Sequence, residues 1–123
     1  MKALIVFILI SLNLSAQDSW RFTRDKKMHF LAGGGVAMIT YSPIAFQDLE
    51  NPNPLRGLLY SVYIGTGVNL AKELYDLTGL GHASIQDVVY GTTGAVVGGL
   101  TVFGITNGVL AIRKHIKKKK IQL

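Results

Sequence analysis

Apolar and polar positions fall in long blocks along the chain, without the two-residue alternation of a half-buried strand. Met1-Lys2 leads into an apolar run from Ala3 to Ile10, which continues weakly to Leu14. Small residues Ser15 and Ala16 and polar Gln17-Asp18-Ser19 follow. A basic start, an apolar stretch and a small-residue exit describe a secretory signal peptide over residues 1–16, with cleavage expected after Ala16. Leu14 is bulky for the third position before the cut, so an uncleaved anchor is the alternative. Gln17 stands where a lipoprotein carries its cysteine.

Three longer apolar blocks follow. Met28 to Phe46 has the length of a membrane span, with Pro43 expected to kink or end it. Gln47 to Pro54, rich in Asn and Pro, reads as a turn. Gly57 to Ala71, between Arg56 and Lys72, is short for a span and needs those cations to snorkel or the bilayer to thin. Val88 to Ile112 carries no charge at all, which a soluble core helix with a solvated face rarely permits. The expected fold is all-α: a three-helix membrane bundle over residues 17–113, followed by a basic tail, 114–123.

Composition agrees with this pattern. Of 123 residues, 49% are hydrophobic and 16% charged, below the roughly 25% charged of soluble domains. Cysteine is absent, which excludes disulfides, thiolate metal sites and cysteine nucleophiles. The formal charge is +6, and Arg113, Lys114 and Lys117 to Lys120 supply much of it just after the third block. By the positive-inside rule that end stays cytoplasmic, which leaves the mature N-terminus external and the protein in the inner membrane. Arg21, Arg24, Lys26 and Lys27 strain this orientation, because they then lie outside. The tail itself reads as an anchor against anionic lipid, each cation contributing about 1 kcal/mol. A few lysines without aromatics do not make a nucleic-acid surface, so no nucleic-acid partner is expected.

This topology brings chemistry together at one face. Asp25, Lys26 and His29 begin the first helix, Lys72, Glu73 and Asp76 end the second, and Asp87 begins the third. Helical spacing puts Asp25, His29 and Gly33 on one stripe, and Gly57, Ser61, Gly65, Asn69 and Glu73 on another. Asp87, Gly91, Gly94, Gly98, Thr101 and Gly108 form the third. Small residues allow close approach in lipid, so facing stripes bring the acids together at the top of the bundle. Each residue also has an ordinary explanation. Asp25 and Asp87 suit helix N-termini, Lys72 and Asp76 suit an i,i+4 ion pair, and His82 suits a solvated turn. The candidate catalytic set is Asp25, His29, Glu73 and Asp87, with Lys26, Lys72 and Asp76 as binding residues. A divalent cation on the carboxylates is a further expectation, its identity open.

Asp25-Lys26-x-x-His29-Phe30, Lys72-Glu73-x-x-Asp76 and Asp87 before a Gly-rich helix together resemble the YfiM-type lipoprotein family of unknown function. More distantly the pattern is similar to VanZ-like membrane proteins, over about residues 25 to 100. The chain departs from the first in lacking the N-terminal cysteine, and in showing Tyr90-Gly91 where an Asn tends to precede the Gly. The resemblance implies a cell-envelope location and, through the VanZ-like proteins, a lipid-linked or phosphate-bearing envelope substrate. Two other classes compete with a substrate site: a non-enzymatic protein whose polar cluster locks the helices or docks a partner, and a small pore former. No nucleotide loop, zinc motif, nucleophile elbow or dinucleotide fingerprint is present.

Overall fold

A computed structural model describes residues 21–121, leaving aside the side chains of Leu80, Lys120 and Ile121. The expected signal peptide, residues 1–16, lies outside the described residues. Three helices make up the fold: α1 (Arg24–Ala45), α2 (Pro54–Tyr75) and α3 (Ile85–Ile121). A widened helical turn, Asp76–Leu80, extends α2 and ends at Gly79, whose φ of +93° lies in the left-handed region open to glycine. The elements are those the blocks predict, but their bounds differ. α2 is 22 residues long and not short, about 33 Å. It starts earlier because Asn53 Oδ1 accepts the Arg56 N–H at 3.0 Å and Pro54 occupies the first helical position. Pro43 sits in the last turn of α1, which ends two residues later at Ala45. α3 is 37 residues long and runs on through the basic residues to Ile121.

The loop between α1 and α2 is tied by Asp48. Its carboxylate accepts the backbone N–H groups of Glu50 and Asn51 at 2.9 and 3.1 Å, and the Asn51 side-chain amide at 3.3 Å. These bonds, the Asn51 backbone first, favour the charged form and hold its pKa below the ordinary carboxylate value.

α1 and α3 run parallel and pack directly on each other, and α2 packs antiparallel against both. Gly33 and Gly34 face Gly91, Gly94 and Gly98, while Gly57 meets Ala45 and Tyr41. Glycine in a helix interior costs up to about 1 kcal/mol, and here it permits backbones to touch. A Cβ on Gly94 would collide with the Phe30 carbonyl, and one on Gly98 with the backbone of Gly34. Gly104 and Gly108 meet nothing within 4 Å, and Thr101 is exposed. The small-residue stripe of α3 therefore stops near Gly99, and Thr101 and Gly108 do not belong to it. Beyond that point α3 still meets α1 at Thr106, which is buried beside Tyr41.

The interior inverts the usual order. Its buried hydrophobic residues are Ala37, Tyr41, Ala45 and Ala95, and its buried polar residues include Lys26, His29, Ser61, Asn69, Glu73, Gln86 and Asp87. Among the described side chains no Leu, Ile, Val, Met or Phe is buried. The aliphatic and aromatic bulk faces outward, with Ile39 77%, Tyr63 78% and Ile105 62% exposed. α3, over Ile85–Lys119, is the one described helix long and apolar enough to cross a membrane, and only 22% of its most apolar stretch is buried.

Candidate functional site

At the end of the bundle where α1 and α3 begin and α2 finishes, the polar residues meet. α1 turns Lys26, His29, Gly33, Ala37 and Tyr41 inward at steps of three and four. Lys26, and not Asp25, therefore shares the buried stripe with His29, which corrects the spacing inferred from sequence. Asp25 lies on the exposed flank of the same turn, yet one of its carboxylate oxygens comes within 4.8 Å of ligand atoms on both His29 and Asp87. α2 contributes the expected stripe, Gly57, Ser61, Gly65, Asn69 and Glu73, all buried.

The contacts follow from this placement. Lys26 Nζ, 1% exposed, donates to Asp87 Oδ1 at 3.5 Å, with Asp87 itself 2% exposed. Glu73 Oε2 accepts the backbone N–H of Ser84 at 2.7 Å, which ties the loop before α3 to the end of α2. Glu73 Oε1 accepts from Lys72 Nζ at 3.1 Å. Lys72 also reaches Asp76 Oδ2 at 2.7 Å, the i,i+4 pair, and its half-exposed side chain forms the rim. His29 lies between the acids, with Nε2 3.6 Å from Glu73 Oε1 and 3.9 Å from Asp87 Oδ2. Beside the cluster, Phe22 packs edge-on to Phe30 and tilted against Tyr90, joining the chain before α1 to α3.

The structure thus gathers Lys26, His29, Glu73 and Asp87 in the interior, with Asp25, Lys72 and Asp76 around the edge. His82 is exposed in the loop before α3. Two participants escaped the sequence-based set. Asn69 Oδ1 lies 3.1 Å from His29 Nδ1, and a single amide in an apolar segment is itself a marker of such a role. Ser84 holds Glu73, and Ser84-x-x-Asp87 is the pattern of a helix start that places both residues.

Four carboxylates against two ammonium groups leave the site with surplus negative charge, so it suits a cation better than a bare anion. Among the described residues, Asp25, His29 and Asp87 are near enough to one another to share a metal ion. No protein-family model, curated protein or solved structure matches the chain.

Proposed function

We propose that this is a small integral membrane protein of the bacterial cell envelope, whose polar cluster binds and processes the phosphate-bearing head group of a lipid-linked substrate at the external face. The observation that carries the reading is the inverted interior: charged and amide side chains inside, aliphatic side chains outside. In water that exposure costs about 25 cal/mol per Å² of apolar surface, whereas hydrocarbon removes the penalty. α1 and α2, at 22 residues each, match a hydrocarbon core of about 30 Å in length, α3 being the described helix that is apolar enough as well, and the cluster then lies at one boundary. A lipid head group reaches that boundary from the side, where half-exposed Lys72, paired with Glu73 and Asp76, is the cation at the rim that a phosphate would meet in exchange for one of those partners.

Topology is tested by fusing alkaline phosphatase after Leu123. The fusion should be inactive, since the Lys-rich end of α3 stays in the cytoplasm; an active fusion overturns the orientation. Substrate class is tested by native mass spectrometry of the detergent-solubilised protein with polyprenyl phosphate and with the neutral polyprenol. The phosphate should bind at least tenfold more tightly, and Glu73→Gln, which keeps shape and the Ser84 contact, should alter turnover while leaving the protein folded. Equal binding of both lipids overturns the substrate.

One feature favours a second reading. The Lys26–Asp87 pair is sealed from solvent, as a lock between α1 and α3 would be. Asp87→Asn lowers stability on either reading, so activity decides: if protein carrying Glu73→Gln or Asp87→Asn that still folds works normally, the cluster is a lock and the chain is not an enzyme.

A further inference from the structure

We propose that His29 Nε2, Asp25 and Asp87, joined by Glu73 from α2, hold one divalent first-row transition ion.

The argument starts at Asn69. Its Nδ2 donates to the Gly65 carbonyl at 2.9 Å, which fixes the amide orientation and turns Oδ1 toward His29. Oδ1 can only accept, so His29 Nδ1 carries the hydrogen of the 3.1 Å bond. Nε2, on a ring buried with its residue, is then the nitrogen that faces Glu73 Oε1 and Asp87 Oδ2. Positive charge on the Nε2 side makes this contact attractive, and a metal ion competes with a proton for that position. A metal-bound histidine almost always donates its other ring N–H to an acceptor, which is the task Asn69 performs.

Distances agree. Separations of 3.6 and 3.9 Å from Nε2 to Glu73 Oε1 and Asp87 Oδ2 exceed hydrogen-bond reach. Ligands about 2.0–2.2 Å from a shared ion stand roughly 3–3.6 Å from each other, so the two carboxylates need move little relative to His29, while Asp25, within 4.8 Å, closes in from the exposed flank.

Both buried carboxylates are divided in the same way. Asp87 gives Oδ1 to Lys26 and turns Oδ2 to His29. Glu73 gives Oε2 to the Ser84 N–H and turns Oε1 to His29, with Lys72 at its edge. Asp87 Oδ2 and Glu73 Oε1 both converge on Nε2, the latter while also accepting from Lys72 Nζ at 3.1 Å. Asp25 reaches in from the exposed flank.

Charge agrees as well. Asp25, Glu73, Asp76 and Asp87 against Lys26 and Lys72 leave two negative charges, which one divalent ion cancels. One imidazole among carboxylates selects a zinc-like ion over Ca2+, which needs about six to eight oxygen ligands. The site does not depend on the lipid reading, because the ion is tested with no lipid present.

The test is titration of the full chain, purified in detergent and stripped with chelator, with Co2+ followed by its visible absorption, then competition by Zn2+ and Mg2+. One equivalent of Co2+ should bind, Zn2+ should displace it, and equimolar Mg2+ should not. His29→Gln should abolish the band. Asn69→Ala, a positioning change, should weaken affinity about 10–100-fold. Asp25→Asn, at an exposed residue that leaves packing intact, should weaken it at least tenfold, so the test survives if the buried variants misfold. Absence of Co2+ binding by the unmutated chain, unchanged affinity in Asp25→Asn, or displacement by Mg2+ as readily as by Zn2+ overturns the proposal.

Discussion

Gly94→Ala, the addition of one methyl group, should destabilise the protein by about 3 kcal/mol or prevent its accumulation. Overpacking commonly costs about 1–3 kcal/mol, with the lower values found where a flexible side chain can yield. Here the new Cβ meets the Phe30 carbonyl, and neither backbone can move without separating α1 from α3 along their whole contact. Gly98→Ala should behave similarly against Gly34. Gly108→Ala is the control, because that position faces open space and alanine gains up to about 1 kcal/mol in helix propensity. Thermal unfolding in detergent, followed by circular dichroism, checks all three. Equal melting temperatures for Gly94→Ala and Gly108→Ala would show that the helices do not meet at Gly94.

Asp87→Asn should be the most damaging single change at the site, costing about 3–5 kcal/mol. Removing one partner of a buried ion pair weakens the compensation of the other charge in a poor medium, and Lys26 is 1% exposed. The amide keeps the shape of Asp87, so the loss reports charge and not a cavity. Lys26→Met combined with Asp87→Asn removes both charges and should recover part of the loss. A double variant no more stable than Asp87→Asn would mean that Lys26 does not depend on Asp87 for its charge balance. Denaturant titration of the unmutated protein, Asp87→Asn, Lys26→Met and the double variant in one detergent gives the coupling directly.

The three helices were legible because each apolar block is longer than a strand and bounded by Asn-Pro, Gly or charge. The depth of the site was less so. Sequence spacing treats Asp25 and Lys26 as equivalent starts of a stripe, and the choice between them depends on how α1 rotates against α3. That rotation is set by Gly33 and Gly34 meeting Gly91, Gly94 and Gly98, a contact between chain segments about sixty residues apart. The role of Asn69 was hidden for a related reason. Its position on the α2 stripe could be read, but its partner could not, since only packing brings His29 to it. The extent of α3 was concealed by lysine: these residues are good helix formers, so the helix does not stop where the apolar block ends.

An interior built of glycine, alanine and polar side chains also determines how the fold responds to temperature. The large heat-capacity change of ordinary unfolding comes from hydrating buried aliphatic surface, and it bends the stability curve into a dome. This protein buries no described Leu, Ile, Val, Met or Phe, so losing its tertiary structure adds little such surface to water. Its stability should therefore fall almost linearly on heating, without a maximum near room temperature. Cold would not loosen it, because the contacts that hold it are dispersion, hydrogen bonds and charge, none of which fades as water cools.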